Sequence, residues 1–506
     1  MKSKEDQPKD VEEHRDMETL FFLRYGEVAL KSKAVRKQMV QKLRANIKDA
    51  CKRRGITFDL RPKRLHLVVS THYPDELEPI LAHTFGVYSY SRLHLRPLVD
   101  METLLNDAEE HFAPYINDSV TFAVRAKRDK RYPFSTQEIE RTLGARLVPY
   151  GGRVNLKHPD ITCSLDLRDD RLYLYAEKTR GPAGLPLGVE PPVLTLISGG
   201  FDSPVAAWSM MKRGVPTHFI FFELGGFAQR GAIYAHLHQL YQQWCFGHRP
   251  KLMIIPGRPI IETLQEHVPQ RYRNVMLKRT FYQVGKLLAN AYHHSGLVTG
   301  ESIAQVSSQT ISNLYSISSG IDIPSFRPLL TFEKDEIIKL SRKIGTHDIA
   351  ANVQEYCAIT PKKPATRTKV ETVQELEEAI GGMAFYQSLV EQKETISVDS
   401  LDPNILTYLN VITDTIPKDA VLVDMREPPS PIGTPTLQCT LESLLSDPQQ
   451  LSQDKTYLLF CDGGMQSAEA ASILREFEIN AFAFEGGIHR LRKRLPSPQQ
   501  EQETTS

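Results

Sequence analysis

Two short apolar runs, Val193 to Ile197 and Tyr457 to Phe460, each stop at a glycine-containing loop and give way to a helix-like segment. The first junction reads Ser198-Gly199-Gly200-Phe201-Asp202-Ser203 and the second Cys461-Asp462-Gly463-Gly464-Met465-Gln466-Ser467. A buried strand turned by glycines into a helix is a building unit of parallel sheets, whose strands need helical crossovers. Between Val193 and about Ile349 the unit recurs, with Thr217 to Phe222, Lys251 to Ile255 and Gly296 to Gly300 as further strand candidates. The chain is therefore expected to hold a doubly wound parallel sheet with helices on both faces. A second α/β unit is expected from about Val421 to Arg494.

With 506 residues, one hydrophobic core is too few, and three or more domains are expected. Upstream of the glycine- and proline-rich linker Gly181 to Gly188, the pattern is that of two small α+β units. Leu20 to Val28 reads as a strand, Lys31 to Arg53 as a helix carrying Val35, Met39, Leu43 and Ile47 at helical spacing, and Leu65 to Ser70 as a returning strand. The second unit is expected from about Pro74 to Lys178, with helices at Met101 to Phe112 and Ser135 to Val148. Its strands are expected at Ser119 to Lys127, Ile161 to Leu167 and Arg171 to Glu177. Thr360 to Asp399 reads as a polar connector. The net charge of +1 conceals an asymmetry: 29 Lys/Arg against 20 Asp/Glu between Arg24 and Arg180, and 9 against 22 from Glu371 onward. A basic front half fits a polyanion held at that end. Met1 to Arg15 and the residues from Gln499 read as polar tails, no apolar stretch approaches the roughly 20 residues of a membrane span, and a cytoplasmic setting is expected. Six cysteines in so long a chain make no disulfide scaffold, and no pair has metal-ligand spacing.

In the first loop, Gly199 and Gly200 let main-chain N–H groups approach an anion, and the following helix N-terminus, with Pro204 in its first turn, adds partial positive charge. Ser198 and Ser203 offer hydroxyls to the same phosphates. Asp202 would repel phosphate alone, so it is expected to act through Mg²⁺ or in positioning the attacked group. The Ser-Gly-Gly-x-Asp-Ser pattern resembles the PP-loop of ATP pyrophosphatases, which cleave ATP between the α and β phosphates and leave an adenylated intermediate. Thr299 to Ser302 and Gln305 to Thr310 lie where strand ends of an open sheet would meet adenine and ribose. Lys278, Arg279, Arg327 and Lys334 are candidate cations for charge developing on the α-phosphate.

In the second loop, Cys461 ends a strand before glycines whose N–H groups, with the following helix dipole, stabilise a thiolate or a persulfide. The layout resembles a rhodanese domain, both in Phe460-Cys461-Asp462-Gly463-Gly464 and in the strand end Asp424-Met425-Arg426. Met465, Gln466 and Ser467 stand where a phosphatase of that fold would want an arginine. Cys357, in Gln354 to Thr360 before a basic run, reads as a loop-borne thiol; Cys51, Cys163, Cys245 and Cys439 read as structural.

Taken in order, the chain resembles the tRNA 4-thiouridine synthetase (tRNA sulfurtransferase) family in its long form with a C-terminal rhodanese domain. The resemblance runs from about Leu20 to Arg494 and rests on Gly26 to Ser32, Gly184 to Gly188, Ser198 to Ser203, Gly300 to Ser302 with Gln305 to Thr310, Arg327-Pro328-Leu329, and Glu355-Tyr356-Cys357. It implies a ferredoxin-like domain at 20–73, a THUMP RNA-binding domain at 74–178, a PP-loop domain at 190–370 and a rhodanese domain at 415–494. It further implies that Leu196, Ile197, Phe221, Phe222, Lys278, Gly300 and Gln309 line the ATP site beside the loop residues Ser198, Gly199, Gly200 and Ser203. Asp202 and Lys334 would be the catalytic pair, Cys461 the persulfide carrier, and Cys357 the cysteine that closes a disulfide with it. Implied partners are tRNA, held partly by Val124 to Arg128 and Lys130-Arg131, a cysteine desulfurase, a reductant, and a thiamine-pathway sulfur carrier protein. ATP with Mg²⁺ would be the substrate, without a tightly bound cofactor. The competing readings are sulfur transfer serving mainly thiazole formation, a tRNA-binding module with a decayed enzyme core, and a non-sulfur amidating enzyme; intact Asp202, Lys334 and Cys461 argue against the last two.

Overall fold

A computed structural model of the chain describes residues 19–62, 66–129, 132–168, 170–176, 178–224, 226–351, 363–401, 411–426, 428, 429, 432, 436–462 and 464–495. Contacts divide it into two compact units, one formed by Met1–Glu190 with Met211–Val215 and Gln243–His248, the other by the remainder.

The first unit is built on a nine-stranded sheet. Its elements are β1 (Thr19–Tyr25), α1 (Lys33–Arg53), β2 (Asp59–Pro62), β3 (His66–Thr71), α2 (Pro74–His83), β4 (Val87–Pro97), α3 (Met101–Phe112), β5 (Thr121–Arg128), α4 (Thr136–Leu147), β6 (Arg153–Val154), β7 (Ile161–Arg168), β8 (Arg171–Tyr175) and β9 (Thr179–Arg180). The order is β2-β3-β1-β4-β8-β7-β5-β6, with β9 also pairing β4. Strand alternation decides the faces: Phe21, Leu23 and Tyr25 of β1 meet Met39, Leu43 and Ile47 of α1 in one core. The same core takes Leu77, Ile80 and Leu81 of α2 and Val87 and Tyr90 of β4. A division at 73/74 is therefore not a core boundary, because α2 and half of β4 close the first core. The long strand β4, not expected from the sequence, ties the two cores together, since it pairs β1 at one end and β8 at the other. A second core follows, with Leu104, Leu105 and Phe112 of α3 against Phe122, Ile139, Leu143 and Leu165. The expected strand Leu20 to Val28 ends at Tyr25; Glu27–Leu30 is a 3₁₀ turn that leaves Leu30 86% exposed.

The second unit contains β10 (Val193–Leu196), most of α5 (Asp202–Lys212), β11 (Thr217–Glu223), most of α6 (Gly226–Trp244), β12 (Lys251–Pro256), α7 (Arg258–His267), α8 (Arg273–Ala291), β13 (Leu297–Val298), α9 (Ile311–Ser318), β14 (Ser325–Phe326), α10 (Lys334–Ile344), α11 (His347–Ala351), α12 (Val370–Ala379), α13 (Gly382–Glu391) and β15 (Glu394–Ser397). Its sheet runs β14-β13-β10-β11-β12-β15. All neighbours are parallel except β15, which adds antiparallel to β12 at the edge. The strand order reverses beside β10, so the loops after β10 and β13 open over one crevice at the strand ends. The stretch read as a polar connector is structural in its described part: Val373, Ile380, Tyr386 and Leu389 of α12 and α13 enter the main core. Arg230 holds β15 in place, forking onto Glu223 at 2.6 and 2.8 Å and reaching Glu394 at 3.0 Å.

The remaining elements are β16 (Ile412–Thr413), β17 (Val421–Asp424), β18 (Leu437–Gln438), α14 (Leu441–Ser446), β19 (Thr456–Phe460), α15 (Met465–Glu476), β20 (Asn480–Phe484) and α16 (Gly487–Leu491). They form a five-stranded parallel sheet in the order β16-β20-β19-β17-β18, with apolar clusters on both faces. β19 lies at its centre, so Cys461 emerges from the middle of the sheet.

Candidate functional site

The glycine loop follows from the burial of β10. Val193, Leu194 and Thr195 are enclosed between β11 and β13, and the Thr195 hydroxyl is satisfied by that of Thr217. The chain then turns through Ser198 to Phe201 and enters α5 at Asp202. Ser203, expected to face phosphate, is instead only 3% exposed and braces the loop from within: its oxygen accepts from the Ser198 N–H at 2.8 Å and lies 3.0 Å from the Ser198 hydroxyl. Ser198 itself is exposed. Gly300 is required by close approach, since a Cβ there would stand 2.8 Å from the carbonyl carbon of Asp202 and from the Ser203 nitrogen.

Asp202 and Lys334, 132 residues apart, meet at this crevice with Nζ 2.8 Å from Oδ1. The lysine sits at the first position of α10, whose start is fixed by a reciprocal capping box between Glu333 and Glu336 and whose end is fixed by Gly345 at φ +80°. Gln305 donates to the other Asp202 oxygen at 3.1 Å, and the Lys334 ammonium also lies 5.3 Å from the centre of the Phe201 ring. The lysine neutralises the carboxylate, so Asp202 can stand beside an anion without repelling it.

A buried network backs the crevice. Glu301 accepts from Tyr282 at 2.7 Å, Thr299 at 3.0 Å and Arg327 Nε at 2.9 Å. Burial alone would raise its pKa; the Lys278 charge and the hydrogen bonds from Tyr282 and Arg327 outweigh that and hold the carboxyl below the usual carboxylate range. Arg327 is thus tied to Glu301, while its buried Nη2 has no hydrogen-bond partner among the described residues, and the same is true of Gln309 Oε1. Lys278 is half-buried over Phe281. Arg279 is not a free cation: it is 5% exposed, forks onto Glu377 at 3.1 and 2.9 Å and also donates to the Ile317 and Ser319 carbonyls. The side chains of Ile197, Phe221 and Phe222 are packed inside, Phe222 on Phe281 at 4.1 Å, so at the strand ends these residues offer main chain rather than side chain; Leu196 is half-buried.

Sequence reasoning missed His236. It is fully buried on α6, and its Nε2 lies 3.1 Å from the Gly199 carbonyl oxygen. Its signal was a lone histidine within the apolar helical stretch Ala232 to Leu237.

At the second loop, Cys461 is 3% exposed and its sulfur accepts from the Gly464 N–H at 3.1 Å, with the Ser467 hydroxyl at 3.6 Å. One main-chain donor, not a full cradle, is seen among the described residues. The strand end Asp424–Arg426 is a buried fork at 2.6 and 2.8 Å. Burial raises the Asp424 carboxyl, but bonding to Arg426 prevails and holds it low. Burial pushes the Cys51 and Cys163 thiols up to about 12, as suits structural cysteines. Cys357 lies outside the described residues, as do Lys130, Arg131 and Gly463. Of the other expected RNA-binding cations, Arg125 donates to Leu156 O at 2.6 Å and Arg128 to Tyr132 O at 2.7 Å, while Lys127 is exposed.

Residues 188–381 match the family described as Thiamine biosynthesis protein (ThiI), residues 99–177 the THUMP domain, and residues 20–91 the ThiI ferredoxin-like domain. A tRNA sulfurtransferase of Desulfurococcus amylolyticus is 32% identical across 95% of this chain and 99% of its own length. The chain belongs to the tRNA sulfurtransferase family. A relative in Saccharolobus islandicus, a probable tRNA sulfurtransferase, is 37% identical over 98% of its length but only 74% of this chain. Among solved structures, a 4-thiouridine synthetase in complex with RNA and ATP superposes with a TM-score of 0.67 at 27% identity, covering 75% of this chain and 99% of that one. The ferredoxin-like match ends at Ser91, within β4, consistent with the core that α2 and β4 complete.

Proposed function

We propose that the chain uses ATP to adenylate O4 of a tRNA uridine, the eighth nucleotide, and replaces that oxygen with sulfur carried on Cys461. As a family member it is an ATP-dependent enzyme of tRNA sulfur transfer. The observation that carries the finer reading is the Asp202–Lys334 pair, 2.8 Å apart, at the mouth of a glycine loop.

In this reading Gly199 and Gly200 present main-chain N–H groups to the substrate's phosphates, Lys334 offsets charge at the α-phosphate, and Asp202 holds the lysine aimed. Gln309 Oε1 and Arg327 Nη2, buried without partners among the described residues, are available to the nucleotide. Among the described residues no cluster of three or more acidic, histidine or cysteine side chains is placed to hold a metal ion. Asp202 nonetheless fits Mg²⁺ arriving with ATP: each of its oxygens has one donor and keeps a lone pair, and Mg²⁺ typically takes one or two carboxylates plus phosphates. Such an ion supplies charge neutralisation on the phosphates.

The uridine O4 attacks the α-phosphate and pyrophosphate leaves. The terminal sulfur of a Cys461 persulfide, loaded by a cysteine desulfurase, attacks C4, and AMP departs carrying O4. Cys357 then attacks the Cys461 sulfur, leaving sulfur on the uridine and a Cys357–Cys461 disulfide that a dithiol reductant reopens. The five-stranded parallel sheet, its central Cys461 and the Asp424–Arg426 fork support assigning residues 415–494 as a rhodanese domain. Likewise 20–73 with α2 and β4 is assigned as the ferredoxin-like platform, the following segment to Lys178 as the THUMP RNA-binding domain, and 190–370, extended through β15, as the PP-loop domain. Among the described residues no helix is long and apolar enough to cross a membrane, which fits the proposed cytoplasmic setting.

The family description favours a second role, delivery of Cys461-borne sulfur to a small carrier protein for the thiamine thiazole. One strain tests both. With Asp202→Ala as the sole copy, tRNA should lose 4-thiouridine while growth without thiamine persists; normal 4-thiouridine would refute the ATP-site assignment, and thiamine dependence would refute the separate carrier role.

A further inference from the structure

We propose that His236 is a positioning residue for the glycine loop: its neutral imidazole draws the Gly199 carbonyl inward and thereby turns the Gly200 N–H outward. The inference rests on the reading of that loop as the ATP site.

The chemistry of the contact fixes the tautomer. A carbonyl oxygen only accepts, so Nε2, 3.1 Å from Gly199 O, must carry the proton. Nδ1 is buried and has no hydrogen-bond partner among the described residues, so it is the bare nitrogen of a neutral ring. A second proton there would be a buried charge without an acceptor, and burial accordingly pushes the imidazole pKa down to about 4. The imidazole is therefore a fixed neutral donor across the physiological range.

The consequence for the loop follows from peptide planarity. Gly199 C=O and Gly200 N–H belong to one trans peptide unit and point in opposite directions. Anchoring the oxygen on α6 directs the following N–H away from that helix. Glycines cross between peptide orientations readily because they lack a Cβ, so a Gly-Gly pair left to itself samples both. The start of the turn is already held: Ser203 Oγ accepts the Ser198 N–H at 2.8 Å. Ser203 and His236 together clamp the loop, and of the two His236 acts on the peptide that bears the Gly200 N–H.

The test uses the full-length chain with His236→Gln, whose amide nitrogen reaches as far as Nε2, His236→Asn, whose amide is too short, and His236→Leu. Dissociation constants for ATP and for tRNA are measured by titration, together with KM for ATP and kcat of thiolation. Nitrogen-15 spectra of the wild-type imidazole report the tautomer. The Leu and Asn variants are expected to bind ATP about tenfold or more weakly, the value of a lost hydrogen bond that orients a second one, with tRNA affinity within about twofold of wild type. His236→Gln is expected to recover ATP affinity to within about threefold, and His236 is expected as the Nε2–H tautomer. ATP affinity unchanged in the Asn variant, or a folded Gln variant no better than Asn, would overturn the inference, and the Gln–Asn contrast decides even if the Leu variant fails to fold. A wild-type chain that binds no ATP would instead defeat the loop reading, and this inference with it.

Discussion

At the residue scale, the two chemical centres differ in how far single side chains explain them. Asp202 and Cys461 were legible because their chemistry demands a strand end, a glycine turn and a helix, and those three signals stand together in the sequence. Lys334 and Gln305 were marked as candidates from the sequence, but the pairing of Lys334 with Asp202 came from the resemblance and that of Gln305 was not expected, since nothing local says that residues 132 and 103 positions away converge on Asp202. Arg279 and Ser203 illustrate the opposite error. A positive charge or a hydroxyl near a motif invites a ligand role, but burial gives Arg279 to Glu377 and Ser203 to its own loop. His236 was visible as a histidine in an apolar helical stretch, but its role was hidden because its partner is a carbonyl, which every residue has. Its depressed pKa has a measurable sign. The unfolded imidazole, near 6.5, binds a proton that the folded one, at about 4, refuses. The contribution is therefore fully present above about pH 6.5 and is lost as pH falls toward 4, with a slope of up to about 1.4 kcal/mol per pH unit. Denaturant titrations between pH 7 and 4 should show a shallower acid loss in His236→Gln than in wild type; parallel curves would mean that the imidazole is not held neutral. For Cys461, replacement by Ala is expected to abolish sulfur transfer while leaving ATP and tRNA dissociation constants within about twofold, since among the described residues the thiol's hydrogen-bond partners, Gly464 and Ser467, belong to its own loop. Loss of tRNA binding in that variant would contradict the assignment.

At the element scale, parallel strands were read well because burial on both faces makes continuous apolar runs, as in Thr217 to Phe222. Elements that owe their state to tertiary pairing were not. β15 is four residues of unremarkable composition, held at the sheet edge by β12 and by Arg230. β4 serves two cores at once, so no composition shift marks the passage between them. The C-terminal loop is locked by a contact equally hidden from sequence: the turn Gly486-Gly487 backs Cys461, with the Ile488 N–H donating to Cys461 O at 2.8 Å. A Cβ on Gly487, at φ +60°, would stand 2.2 Å from that oxygen and 2.8 Å from the Gly464 nitrogen that bonds the sulfur. Gly487→Ala should therefore cost about 3 kcal/mol or more in this sheet and reduce persulfide loading of Cys461 well below wild type, by thermal unfolding and by mass spectrometry of the loaded chain. Wild-type loading and stability would show that the turn does not hold the cysteine loop.

At the scale of the whole molecule, one polypeptide carries a basic nine-stranded front unit, a nucleotide-type crevice and a sulfur-type loop. Their joint presence limits the chemistry more than any one of them does. A glycine loop alone serves many nucleotide reactions, and a strand-end cysteine alone serves many thiol reactions. The combination requires an oxygen that must be activated before sulfur can replace it, and the path of that oxygen is the central claim. Transfer RNA carrying oxygen-18 at O4 of the target uridine, incubated with the chain, ATP and persulfide donor, follows it directly. The expected result is one labelled oxygen in AMP for each 4-thiouridine formed, with pyrophosphate unlabelled. Thiolated tRNA accompanied by unlabelled AMP, or by ADP and phosphate in place of AMP and pyrophosphate, would contradict the account.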